Sequence, residues 1–328
     1  MTFTSWAAAL RCCIVAAMAI VAGSAYAGQP RAGCGSVDYN KMILDIIKAM
    51  PKGGGYTLNV NELQLPTITA NSVGDGKWEM RVFEGHPSHC TSATYTIFAM
   101  LAATLQNGGR INLTPPELES LAIQPTMPDG KARVDGEGPF QIFNSNGAGA
   151  AALIKHTGTG ISFRDDKFIY ARPGDFLKLF WNENVGATER GHQVVFLDHR
   201  TVAGREMVCF WGSQRQKHDK RREGGSEPLY FPMADGDEVV DGYGEVCRPR
   251  GDIKAMVFSR VTCMEHLGAG LEAMAAQAVP PGGRADLFVD EFLYGLREKS
   301  SDHATLDRMY GILAAPPAVF ADVRTPPQ

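Results

Sequence analysis

Apolar residues recur along this chain in two rhythms. In "VDYNKMILDIIKAM", residues 37–50, they return every three or four positions, which predicts an amphipathic helix ended by Pro51 and a run of glycines. In "CTSATYTIFAMLAATLQN", residues 90–107, apolar and small residues surround the helical wheel, and Asn107-Gly108-Gly109 closes the run; this predicts a helix buried on all sides. "TPPELESLAI" opens a helix at a Thr-Pro start, "EGPFQIFNSNGAGAAALIKHTG" reads as one more, and "MEHLGAGLEAMAAQA" and "RADLFVDEFLYGLREK" add two near the C-terminus. β-branched and aromatic residues crowd "YTLNVNELQ", "KWEMRVFEG", "DFLKLFW", "HQVVFLDH", "EMVCFW" and "DIKAMVFSRVTC", which read as strands. "DFLKLFW" and "HQVVFLDH" form a hairpin or near-hairpin across a polar loop, and "HQVVFLDH" pairs with "EMVCFW" about a turn at Ala203-Gly204. Helices interspersed with antiparallel strands make the fold class α+β.

The chain opens with one positive charge at Arg11, an apolar stretch, and small residues at Ala25 and Ala27 before Gly28. This is the pattern of a secretory signal peptide over residues 1–27. The apolar run is short for a spanning helix and no basic stop-transfer cluster follows, so no stable membrane insertion is expected after cleavage and the mature chain is periplasmic or secreted. Residues 28–328 are enough for one good core, or one and a small appendage. Removing Arg11 moves the formal charge from -4 to -5, a field that does not favour nucleic acid. "RQKHDKRREGG", residues 215–225, is a local basic exception: a solvated loop, or an anion-seeking rim.

Export gives the cysteine count its meaning. After cleavage five remain, Cys34, Cys90, Cys209, Cys247 and Cys263, an odd number in an oxidising compartment. Two disulfides and one free thiol is the simplest arrangement, with the pairing left open. Cys90 is the expected free thiol, because Pro87 keeps His86 out of a helix, Ser88 can cap, and the thiol then meets the positive end of the buried helix. Unpaired amide hydrogens there lower a thiol pKa and supply donors for an oxyanion. A buried, inert cysteine at a helix start is the competing reading.

A thiolate nucleophile needs a base. His192 opens a β-rich run, follows Gly191, and is expected to project from a strand's first residue into a cleft. His86 and His89 stand too close to Cys90 for a cross-cleft geometry, while His199, His218 and His266 read as loop or surface positions. A zinc site on "HPSHC" lacks a second ligand pair, so no metal is expected, and the glycines of "GAGA" and "GTG" lack the context of a nucleotide loop, so no cofactor is expected either. The aromatic residues of "FQIFN", with Trp181 and Trp211, read as core or cleft wall; Asn144 and Asn146 read as cleft lining or helix caps.

A cysteine opening a core helix, then "PGDFLKLFW", then "GHQVVFLD", resembles the papain-like fold of the NlpC-type cell-wall peptidases and their amidase relatives, over about Arg81 to Gln214. The resemblance implies a papain-like core with the Cys-bearing helix packed on an antiparallel sheet, plus helical additions. On that reading residues 28–263 form the catalytic domain with an insertion at about 110–165, and 264–328 a C-terminal helical extension. It implies a cysteine peptidase or amidase acting on peptidoglycan stem peptides. The third member of such a site falls opposite His192 by hairpin register, within residues 212–215, where Gln214 offers an amide carbonyl and Ser213 competes. Two alternatives stay open: a non-catalytic binding module with the same fold, and acyl or glutamyl transfer by the same Cys-His pair.

Overall fold

The computed structural model describes residue 34 and residues 37–59, 61–123, 138–144, 149–182, 189, 191–215 and 240–277. The leader, the basic run beyond Arg215, Asn146, His218, the helix expected at 284–299 and the C-terminal tail lie outside the described residues. The chain divides into two units, residues 1–35 and 36–328, and every described helix and strand belongs to the second.

Among the described residues the helices are α1 (Tyr39–Ala49), α2 (Cys90–Asn107), α3 (Pro115–Leu121), α4 (Gly138–Phe143), α5 (Ala150–Thr157) and α6 (Leu267–Gln277). The strands are β1 (Gly53–Gly54), β2 (Thr67–Gly74), β3 (Lys77–Phe83), β4 (Gly160–Phe163), β5 (Phe176–Phe180), β6 (His192–Val202), β7 (Arg205–Arg215), β8 (Asp241–Pro249) and β9 (Ala255–Val261). Seven strands form one sheet in the order β1-β8-β7-β6-β5-β9-β4, antiparallel throughout, and β2 and β3 form a separate hairpin. The fold is α+β, as the patterning predicts. The β6–β7 turn falls at Ala203-Gly204, both with positive φ (49° and 79°), the conformation of a two-residue hairpin loop.

Alternation along β5 assigns the faces of the sheet. Phe176 and Phe180 join the core beneath α1, α2, α4 and α5, while Leu177 and Leu179 join a second cluster on the opposite face with Val194, Phe196, Phe210 and Phe258. Period two therefore puts Lys178 on the helix side, between two buried phenylalanines. The glycine and aspartate of "PGD" are structural. Asp175 is fully buried and accepts two bonds from Arg260 of β9 (2.8 and 2.7 Å) and one from Asn40 of α1 (2.8 Å), tying β5, β9 and α1 together. Gly174, at φ 92°, leaves room for Asn40, whose carbonyl oxygen would lie 2.6 Å from an added Cβ.

Several expectations are corrected. "YTLNVNELQ" is not a strand: Asn59 accepts the amides of Glu62 and Leu63 and its side chain bonds Glu62, folding the segment into a turn. "EGPFQIFNSNGAGAAALIKHTG" is two helices, α4 and α5, because Asn144 ends the first and Gly149, with φ 57°, precedes the second. His199 lies within β6, its ring stacked on Phe168 at 4.0 Å with Nε2 buried. The described part of the C-terminal extension is helical, as expected, and packs against α5 with Leu267 and Leu271 in the core. The aromatics of "FQIFN" and Trp211 are core.

Cys209 and Cys247 face each other across β7 and β8 in a disulfide, and Cys263 is disulfide-bonded as well. Two disulfides are compatible with export. Among the described residues no helix is long and apolar enough to cross a membrane.

Candidate active site

Cys90 is the free cysteine of the described residues, half-buried at the first position of α2. The loop before it is clamped from several sides. Tyr243 of β8 donates its hydroxyl to the Gly85 carbonyl (3.2 Å), Ser213 of β7 bonds both the hydroxyl (2.7 Å) and the carbonyl (3.2 Å) of Ser88, and the amides of Gln64 and Thr57 bond the carbonyls of Pro87 (2.9 Å) and Ser88 (3.0 Å). The helix start is thus fixed to the sheet rather than left to fray.

The cap is His89, not Ser88. Nδ1 of His89 accepts the Ser92 amide at 2.9 Å, and the Ser92 hydroxyl meets the His89 amide at 3.0 Å, a reciprocal capping box. Ser88 is unavailable as a cap because its hydroxyl is committed to Ser213. An accepting Nδ1 makes His89 an imidazole with its proton on Nε2. Its ring lies parallel to Phe140 at 6.4 Å, which ties α4 to the helix start. With the Ser92 amide spent on the cap and the Ala93 amide on the His89 carbonyl, the amides of Cys90 and Thr91 have no acceptor among the described residues.

His192 is the first residue of β6, as expected, and its imidazole acts on the Cys90 thiol from there. Burial alone pushes a thiol's pKa up. Here the influence of His192, with the charge of Lys178 a lesser cause, outweighs burial and holds Cys90 well below the ordinary thiol range. Strand pairing with Leu179 fixes the backbone of His192, while its ring lies edge-on to Phe210 at 5.9 Å and tilted to Trp181 at 6.4 Å.

The β6–β7 ladder runs as far as Val195↔Trp211, and continuing that register brings Gln214 opposite His192. Gln214 is buried there, but its Nε2 donates to the Gly244 carbonyl of β8 at 3.0 Å, and among the described residues no hydrogen bond joins it to His192. Ser213, the competitor, is committed to Ser88. The structure brings Cys90 and His192 together and leaves both third-residue candidates serving β8 and the Cys90 loop.

Three neighbours were not anticipated by motif reading. His89 is one. Glu189 is buried, and its carboxylate accepts the amides of Gly191 (2.7 Å) and Trp181 (3.2 Å) and the side chain of Asn182 (3.3 Å), so it holds the chain entering β6 against the end of β5. Lys178, only 3% exposed, is the third. A lysine amid the apolar residues of "FLKLF" is a legible signal, because lysine is almost never fully buried unless paired.

No family model matches the chain, and no curated protein or solved structure matches it. The site is therefore read from its own geometry.

Proposed function

We propose that the protein is an exported cysteine hydrolase that cleaves an amide bond. The observation that carries this reading is the free Cys90 at the positive end of a buried helix, its thiol acted on by His192 from the first position of a central strand. A free thiol among bridged cysteines, held well below its ordinary pKa, has the character of a nucleophile rather than a packing residue.

In the proposed reaction the Cys90 thiolate attacks the scissile carbonyl carbon, and the oxyanion that forms is met by the amides of Cys90 and Thr91. The His192 imidazolium gives its proton to the leaving amine as the C–N bond breaks, leaving a thioester. Water then attacks the thioester, His192 takes its proton, and the acid departs with return of the thiolate. Packing against Phe210 and Trp181 helps to orient the imidazole.

For substrate we propose peptidoglycan stem peptides, and for architecture a papain-like core. Support comes from the sequence resemblance, the export signature and disulfides, and a basic run after β7 that suits peptides bearing carboxylates. The test is to incubate purified protein with stem peptides and read new amine and carboxyl termini by mass spectrometry. Cleavage lost in Cys90→Ala supports the assignment. Intact stem peptides with cleavage of an unrelated peptide would keep the thiol chemistry and remove the cell-wall substrate; no cleavage of any amide would remove the hydrolase.

A further inference from the structure

The ladder between β5 and β6 ends at the pair Leu179↔His192. Beyond it a single side chain takes over the pairing. Glu189, 8% exposed, receives the amide of Gly191 on one carboxylate oxygen at 2.7 Å and the amide of Trp181 on the other at 3.2 Å, so one N–H from each strand's end closes on the same group. The Asn182 side chain adds a third donor at 3.3 Å. A carboxylate with N–H donors on both oxygens makes charge-assisted bonds, the kind strong enough to hold a backbone in one place. The conformation it holds is a demanding one. Gly191 has φ 73° and fits a slot between Lys178 and Phe180, where an added Cβ would lie 2.5 Å from Lys178 Cε and 2.8 Å from the Phe180 ring.

Both arms of this clamp lead to His192. Gly191 is the residue before it, so the bond to the Gly191 amide fixes the turn from which β6 departs. Trp181 carries the indole that lies tilted to the His192 ring at 6.4 Å. Gln214 and Ser213 are committed to Gly244 and Ser88. What sets the place of the imidazole is therefore its own strand, the Phe210 ring at 5.9 Å, and the two residues that Glu189 holds. Loop closure alone does not account for the clamp. Trp181 and Gly191 are only half-buried, where water could serve their amides, and a buried carboxylate is a costly substitute for water.

We propose that Glu189 is the positioning residue of His192: its carboxylate ties the residue before β6 to the first residue after β5 and so keeps the imidazole where it serves Cys90. This inference rests on the reading of Cys90 and His192 as nucleophile and base. Glu189 touches neither substrate nor the reacting atoms and acts through the histidine. Its charge has a second addressee, Lys178 of β5, whose own charge is a lesser cause at Cys90. Position and charge must therefore be varied separately.

The experiment is the pH dependence of Cys90 alkylation by iodoacetamide in the full chain, for the parent, Glu189→Asp and Glu189→Gln, each variant alone and added to His192→Ala, with urea unfolding alongside. Aspartate keeps the charge and is one methylene shorter, so it cannot reach both amides from the same backbone; glutamine keeps the length and one accepting oxygen but turns an NH2 group toward the other donors. Either variant carries the test if the other does not fold. The expected result is an upward move of the alkylation midpoint by about half a pH unit or more in the single variants, read as about threefold slower alkylation below the midpoint, and no further rise when either is added to His192→Ala. A parent-like midpoint in a folded variant would overturn the proposal. So would a rise of equal size in the His192→Ala background, because the effect would then bypass the histidine. Failure of the underlying reading looks different: a parent midpoint that His192→Ala itself leaves in place removes the pair of Cys90 and His192 and this role for Glu189 with it, whereas a midpoint moved by His192→Ala and by neither Glu189 variant keeps the pair and removes Glu189 alone.

Discussion

Gly191 and Lys178 exclude each other's growth: a Cβ on Gly191 would stand 2.5 Å from Lys178 Cε and 2.8 Å from the Phe180 ring. Gly191→Ala must therefore displace the lysine, the backbone entering β6, or both, from a conformation with φ 73° that alanine adopts poorly. We expect a loss of about 1–3 kcal/mol in urea unfolding and slower modification of Cys90 at neutral pH. Parent-like stability and reactivity would show that the slot is slack.

The His89 cap gives a prediction that separates shape from charge. His89→Ala removes the acceptor for the Ser92 amide and is expected to cost about 1 kcal/mol, whereas His89→Asn, which can still cap, is expected to recover most of it. Equal unfolding midpoints for the two variants would mean that His89 serves through its contact with Phe140 instead.

Gln214 is bonded to Gly244 rather than to His192. Gln214→Leu is expected to leave the pH profile of Cys90 alkylation unchanged while costing about 1 kcal/mol of stability, because the Gly244 carbonyl loses its donor. A midpoint that rises with this variant as it does with His192→Ala would restore Gln214 as the residue that orients the histidine.

Tyr243, whose hydroxyl holds Gly85 and whose ring packs on His86 at 4.7 Å, links alkaline stability to the Cys90 loop. Burial, moderated by its hydrogen bonds, pushes its phenol up to about 12. The folded state thus prefers the neutral phenol. The contribution is complete below the unfolded value near 10 and is lost as pH rises through about 12. We expect unfolding free energy to fall by about 2 kcal/mol across that window, and Tyr243→Phe to flatten this part of the curve. An equally steep decline in Tyr243→Phe would assign the effect to other groups.

What the sequence revealed of the site follows from which signals are local. Cys90 at a helix start and His192 at a strand start are both marked by their neighbours, Pro87 on one side and Gly191 with "VVFL" on the other. The Ala203-Gly204 turn was legible because a two-residue loop constrains its own φ angles. β1 and β4 were not, since strands as short as Gly53–Gly54 and Gly160–Phe163 carry no periodicity and exist by pairing with β8 and β9. β8, "DGYGEVCRP", has glycines that weaken its strand signal; Gly242 lies against the Gly53 backbone, where an added Cβ would come within 2.0 Å of the carbonyl oxygen. The choice of His89 over Ser88 as cap depended on Ser213, a residue of β7 that occupies the serine. Register arithmetic found Gln214's place, but where its amide points depends on β8, the strand the patterning had not supplied.

The central claim is that Cys90 is a thiolate sustained by His192, and the most direct measurement of it is the rate of Cys90 alkylation against pH in the parent and in His192→Ala, with the modified residue identified by peptide mapping. The account predicts a parent midpoint well below that of an ordinary cysteine and a clear upward move in His192→Ala, with the fold retained. A parent midpoint in the ordinary thiol range, or one that His192→Ala leaves in place, would contradict it.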